Sequence, residues 1–245
     1  MKPADCHCHL DFDSFDGDRE QVIERSRAEL EFVVNAGRDP ESNRKSLELE
    51  KSYSGFVIAN LGLHPTHTDR FSEVEYVVEQ VRKNDPAAIG EIGLDHHHVT
   101  DSETRERQEK VFRQMLELAE ELGKPVVVHS REAEQKAVEI LEEHSVDAML
   151  HCFNRNPDLA ERASENFMIG VTTQVLYSGK VREIVERVDL DDLLLETDSP
   201  FLYRDGRNEP VNVLKSVEEI AEIKTLDGQQ VVKATTGAAK EFFNL

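Results

Sequence analysis

Short apolar runs recur along the chain, with longer charge-rich segments between them. The runs are Ala4–His9, Phe32–Ala36, Phe56–Leu63, Ala87–Leu94, Pro125–His129, Ala148–His151, Met168–Val171 and Leu193–Glu196. Each is four to eight or so residues of continuous apolar character, the length and pattern of a strand buried on both faces. The intervening segments carry helical spacing, clearest in Thr104–Leu122, where Val111, Met115, Leu118 and Leu122 fall three or four apart. Strands that alternate with helices imply right-handed βαβ crossovers and a parallel sheet. Eight such units in 245 residues favour a closed (βα)8 TIM-type barrel over a doubly wound sheet. Arg38–Ser54, polar and weak in periodicity, reads as one helix, and two further helices, near Val211–Thr225 and Gly228–Phe243, close the chain. No linker or repeat divides the sequence, so residues 1–245 read as one domain, with Gly and Pro punctuating compact units at Gly62–Pro65, Gly90–Gly93, Gly123–Pro125 and Ser199–Pro200.

The ends of these runs carry the chemistry. His7 and His9, Glu91, His129, His151 and Asp198 each stand at or just past the end of a run. A parallel barrel gathers the C-terminal ends of its strands around one mouth, so residues nearly two hundred positions apart can meet there. Two-residue spacing puts His7 and His9 on one face of a strand. Glu91, inside an apolar run and flanked by glycines, is the natural bridge between two cations, because a carboxylate has two oxygens. Asp198 ends the eighth strand, beside the first in a closed barrel, and could both complete a metal site and take a proton from the attacking water. Glu196 lies on the same side but deeper, where orienting another group is the expected role. Six ligands of this type suit two divalent ions, zinc, magnesium or manganese, and a hydrolytic centre.

Charge narrows the partners. The chain has 50 acidic and 29 basic residues, a net −21. Such a surface argues against broad electrostatic binding to nucleic acid, but leaves room for a nucleic-acid substrate held by metals in a narrow mouth. It suits a salt-rich cytoplasm as well as it suits an ordinary solvated face. No apolar stretch approaches a membrane span, the N-terminus lacks the pattern of a secretory signal, and the three cysteines, Cys6, Cys8 and Cys152, are an odd number. A cytoplasmic protein with no disulfide framework is expected. Strand alternation should send Cys6 and Cys8 away from the histidine face, into the barrel wall.

The strings Asp5-Cys-His-Cys-His-Leu-Asp11, Gly62-Leu-His-Pro65, Gly90-Glu-Ile-Gly-Leu-Asp95, His129-Ser-Arg131, His151-Cys-Phe153 and Leu195-Glu-Thr-Asp-Ser-Pro200 occur in that order. Together with Arg207-Asn-Glu-Pro210 and Phe242-Phe-Asn244 the set resembles the TatD family of metal-dependent deoxyribonucleases, over nearly the whole chain. The resemblance implies hydrolysis of phosphodiester bonds, typically in DNA, with 3′-to-5′ exonuclease action and two divalent metals. It implies one ion on His7, His9, Glu91 and Asp198, and another on Glu91, His129 and His151. By the same likeness, His64 and Arg131 would lie near the scissile phosphate, and Arg207 would face the mouth.

The chain departs from the family pattern in two loops. His96-His-His-Val99 replaces the usual aromatic and arginine residues, and Asn154-Arg-Asn-Pro157 replaces a small Ser-Gly turn. Both lie where loops set specificity, so they bear on the substrate rather than on the metal set. The run His96–His98 reads as an exposed polar loop, with a third ion as the alternative. Two other functions compete with a phosphodiesterase: an amide or ester hydrolase of the amidohydrolase type, and a metal-binding barrel with a non-catalytic partner role. Many relatives of the first kind bridge their metals with a modified lysine on the fourth strand, where this chain has Glu91.

Overall fold

The computed structural model describes residues 1–245 and contains a ring of eight parallel strands. They are β1 (Asp5–Cys8), β2 (Val33–Ala36), β3 (Val57–Leu61), β4 (Ala88–Asp95), β5 (Val126–Arg131), β6 (Ala148–Leu150), β7 (Met168–Val171) and β8 (Leu193–Leu195), paired in chain order. All eight fall within or against the predicted runs. The ring closes narrowly. A single parallel bridge joins Cys8 to Ser199, and the His9 and Asp198 amides donate to the Ser199 and His7 carbonyls at 2.8 and 2.9 Å.

Helices α1 (Arg19–Glu29), α2 (Pro40–Ser52), α3 (Val74–Asn84), α4 (Ser102–Leu122), α5 (Glu134–Leu141), α6 (Pro157–Ala163) and α7 (Gly179–Arg187) follow the first seven strands. After β8 come α8 (Val213–Lys224) and α9 (Gly228–Phe242). The weakly periodic segment after β2 does form a helix, and its start shows why. Pro40 supplies the first-turn φ, and the Asp39 carboxylate accepts the amides of Glu41 and Ser42. On α4 the buried stripe is broader than its sequence spacing suggests. Gln108, Phe112, Met115, Leu116 and Ala119 are buried together with Leu118, while Val111 and Leu122 flank the stripe half-buried. A helix on a barrel wall covers two strands at once, which needs more than one line of side chains. No helix is long and apolar enough to cross a membrane.

The larger core lies between helices and sheet; the smaller one fills the barrel below its mouth. Val127, Met149 and Leu194 stand two residues before His129, His151 and Glu196, and therefore line the same interior face one layer down. Phe242, the last residue of the terminal helix, and Phe243 just past it close this layer at the strand starts, beside Ala4 and Phe32. Cys8 joins the outer core as expected, but Cys6 does not. It packs with the interior layer, because the register between β1 and β2 slips by one residue between Asp5 and Cys8. Such an extra residue breaks strict alternation and turns Cys6 inward beneath His7.

Close approach of backbones explains two glycines of the motifs. A side chain on Gly62 would meet the Glu91 backbone at 2.6 Å, and one on Gly93, whose φ is +136°, would meet the His129 carbonyl oxygen at 2.1 Å. Gly93→Ala is therefore expected to lower stability by about 2 kcal/mol or more, through backbone strain and displacement of the β5 end. Urea denaturation followed by circular dichroism measures it.

Candidate metal centre

The strand ends bring the six residues to one place. Glu91 stands at its middle, buried, with five imidazole nitrogens around it. Its Oε2 lies 3.5 Å from His7 Nε2 and 3.7 Å from His9 Nε2; its Oε1 lies 3.0 Å from His129 Nδ1, 3.2 Å from His64 Nε2 and 3.8 Å from His151 Nε2. The two oxygens thus face two different groups. Asp198 Oδ1 joins the first group, at 3.4 Å from His9 Nε2 and 3.8 Å from His7 Nε2, and lies 3.9 Å from His151 Nε2. Asp198 reaches this position from a left-handed backbone, φ 54°, just past β8. The Gly90–Glu91 and Ser199–Pro200 peptides are cis.

The donor chemistry of the first group fits a small cation. His9 Nδ1 faces the Ala36 carbonyl at 3.1 Å, and a carbonyl only accepts, so Nδ1 carries the proton and Nε2 presents a lone pair. The Nε2 atoms of His7 and His9 approach to 3.2 Å. A tetrahedral ion with bonds of about 2.0–2.1 Å separates its ligand atoms by about 3.3–3.4 Å, close to the 3.2–3.8 Å spread found among His7, His9, Glu91 and Asp198. His7 is held differently: its Nδ1 is buried without a partner, and its ring stacks on His151 at 3.7 Å.

The second group is more open and is held from behind. His151 Nδ1 donates to Glu196 at 2.6 Å, leaving Nε2 toward Glu91 and Asp198. Glu196 also accepts the Cys152 amide at 2.7 Å, so the deeper carboxylate of β8 orients a neighbouring imidazole. His129 is clasped the same way, with Nε2 3.0 Å from Asp95 Oδ2. Burial opposes charge on both rings, but these carboxylates together with Glu91 outweigh it, lifting His129 to about 9 and His151 to about 10. The negative field that holds those protons is the field a cation would meet, and metal loading would displace them. Replacing the orienting carboxylate, in Glu196→Gln, should weaken metal affinity by about 10- to 100-fold while leaving the fold in place, as read by metal titration.

His64 differs in kind. The Thr66 amide donates to its Nδ1 at 3.2 Å, with the Thr66 hydroxyl at 2.7 Å, so Nε2 carries the proton. Burial pushes its pKa down to about 4. His64 is thus a neutral donor aimed at the Glu91 side of the cleft. The cleft itself encloses about 840 Å³, and Arg131 lines it beside His64, His129 and Glu91. Arg207 does not line it. Its guanidinium is tied to Asp18 at 2.6 Å and to Glu209 at 3.1 Å, over the Phe15 ring, behind the mouth. Asp18, just before α1, and Glu209 of the same loop capture it, and the motif alone does not reveal Asp18. In the triple-histidine loop His97 faces Glu132 and His98 faces Asp95, both at 3.0 Å, and both rings are exposed.

Three supporting residues escape the motif reading. Asp95 ends a motif string, yet only the structure shows it gripping His129. Asp5 accepts from the Thr197 amide and hydroxyl at 2.9 and 2.6 Å, fastening β8 to β1; burial pushes its carboxyl well above the usual range. Gln108 of α4 donates to the Pro65 and Asp95 carbonyls at 2.8 and 3.2 Å, joining the loop that carries His64 to the end of β4. An acid two residues before a His-x-His pair is the one signal that could have pointed to Asp5.

A TIM-type barrel with imidazoles and carboxylates gathered at the C-terminal mouth defines the class of metal-dependent barrel hydrolases. Within it, residues 4–244 match the sequence profile of the TatD-related DNase family. The chain belongs to this family of metal-dependent hydrolases. It is 38% identical over 237 residues to an uncharacterized metal-dependent hydrolase of Methanocaldococcus jannaschii, covering 94% of this chain and 92% of the relative. It is 32% identical over 257 residues to the human deoxyribonuclease TATDN3, covering 98% and 94%. Among solved structures, the TatD homologue YjjV of Escherichia coli superposes with a TM-score of 0.87 at 27% identity, covering 99% and 98%.

Proposed function

We propose that the mouth binds two divalent cations and that the protein is a deoxyribonuclease hydrolysing phosphodiester bonds of DNA from the 3′ end. The observation that carries this reading is the division of Glu91, one oxygen toward His7 and His9, the other toward His129 and His151. His7, His9, Glu91 and Asp198 would hold one ion, and Glu91, His129 and His151 the other. When bound, such a pair supplies Lewis acidity and neutralises charge on the transferring phosphoryl group.

The chain's own groups do the rest. The histidines that face Glu91 and Asp198 hold both carboxyls below the ordinary range against the opposing effect of burial, so both stay ionised in the cleft. Asp198, at the lip of the first group, is placed to accept the proton of an attacking water. His64 donates Nε2–H, and Arg131 its guanidinium, to non-bridging phosphate oxygens as charge-assisted bonds in the second case. No lysine lines the cleft to bridge two metals in the manner of many amide and ester hydrolases. The three free cysteines suit a cytoplasmic setting.

The test is digestion of end-labelled single-stranded DNA after chelation and readdition of Mg²⁺, Mn²⁺ or Zn²⁺, with a chromogenic phosphodiester and a chromogenic ester in parallel. The expected result is loss on chelation, recovery with metal, progressive shortening of 5′-labelled DNA, and no ester turnover. Turnover of the ester alone would favour the amidohydrolase reading. Metal binding without turnover of any substrate would favour a non-catalytic role.

Salt provides a further expected outcome. The body carries −21, and of the four cleft arginines Arg38 and Arg155 already face Asp11 and Glu132, at 3.6 and 3.2 Å. Few phosphate contacts remain to release counterions, while repulsion from the body is screened as salt rises. From low to molar KCl, kcat/KM on a short single-stranded oligonucleotide should hold or rise at saturating metal. A steep monotonic fall in the folded protein would place the binding on an extended basic groove instead.

A further inference from the structure

The candidate metal ligands occupy only the floor of the cleft, and one wall carries side chains the hydrolytic chemistry does not use. Phe12, after β1, and Phe201, after β8, meet edge to face, with ring centroids 5.3 Å apart and planes at 87°. Both stand beside a metal-type ligand, at 5.3 and 6.4 Å from the His9 ring. Phe201 is 46% exposed, whereas every other phenylalanine in the chain is buried or half-buried. An exposed ring alone means little. Here it is fixed against a second ring at the lip of a largely polar cleft, and the Arg38 guanidinium lies 3.8 Å over the Phe12 ring.

Aromatic rings interleaved with arginine beside a phosphate-binding floor are what an unpaired nucleobase requires. The ring offers a π-face, and the guanidinium adds a planar cation against the aromatic pair. The neighbouring loop, after β7, has a similar pair, but Tyr177 is covered by Arg204 at 4.3 Å and its hydroxyl donates to the Leu202 carbonyl at 3.1 Å. Phe201 is the aromatic side chain left free.

We propose that Phe201, braced by Phe12 and Arg38, is a stacking platform for the base of the nucleotide whose phosphate lies over the metal ligands. This rests on the phosphodiesterase reading and sharpens it. A base within a duplex is stacked on both faces and paired along one edge, so the platform selects single strands or frayed ends. It also separates nucleotides from simple phosphodiesters.

Two measurements test it. The first compares kcat/KM on a short oligothymidylate with that on an abasic chain of the same length, for wild type, Phe201→Ala and Phe201→Tyr. The expected result is a loss of about tenfold or more in Phe201→Ala on the oligothymidylate, carried by KM, with the abasic chain unaffected and Phe201→Tyr near wild type. Equal losses on both substrates, or none, would overturn the platform. The second titrates the metal-loaded protein against a single strand ending in 2-aminopurine. Quenching of its fluorescence by wild type and Phe201→Tyr, but not by Phe201→Ala, supports stacking; no quenching by wild type overturns it. Quenching without turnover of either chain would instead sink the phosphodiesterase reading and leave the base site standing.

Discussion

Glu91→Gln is expected to reduce turnover by about three orders of magnitude, with the far-ultraviolet circular dichroism spectrum unchanged. The amide keeps the size of the carboxylate and one acceptor oxygen, but it carries no charge and offers an N–H where a second lone pair is needed. Five imidazole nitrogens lie within 3.8 Å of the two oxygens, so the substitution touches both halves of the cluster at once. Losing a bridged cation pair costs several kcal/mol of transition-state stabilisation, and each 1.4 kcal/mol or so is a factor of ten. The measurement is kcat on single-stranded DNA at saturating metal, with metal content determined on the same sample. Near-normal turnover would remove the bridging role.

Asp198→Asn should also cost about two to four orders of magnitude in kcat, the range for removing a general base, but with a different signature. Its carboxylate serves the first group and reaches His151 only at 3.9 Å, so the Glu91, His129 and His151 set survives. Metal content should therefore fall by less in Asp198→Asn than in Glu91→Gln, while turnover falls in both. Equal loss of metal in the two variants would show that Asp198 acts as a structural ligand for the whole cluster rather than as the proton acceptor.

Much of this arrangement is readable in the chain because buried parallel strands are continuous apolar runs, and a change of residue type at their ends is conspicuous. Leu193-Leu-Leu-Glu-Thr-Asp198 shows the limit of that reading. Alternation puts Glu196 and Asp198 on one side and separates them by depth, and the structure has the deeper one holding His151. Alternation failed at Cys6, because a one-residue slip in β1 is a property of the β1–β2 pairing and not of β1 itself. Asp95 was hidden for a related reason: its partner His129 sits on the next strand, and nothing local shows the grip. Arg207 was misplaced because Asp18, which captures it together with Glu209 of its own loop, comes from the loop after β1 and meets it only in the folded barrel. The aromatic wall is of the same kind, since Phe12 and Phe201 are 189 positions apart in the chain and touch where the first and last strands meet.

Anomalous diffraction from crystals grown with Mn²⁺ tests the two-cation centre most directly. Two peaks are expected on either side of the Glu91 carboxylate, about 3.5–4 Å apart, one among His7, His9 and Asp198 and the other beside His129 and His151. A single peak, or a pair of which neither contacts Glu91, would contradict it.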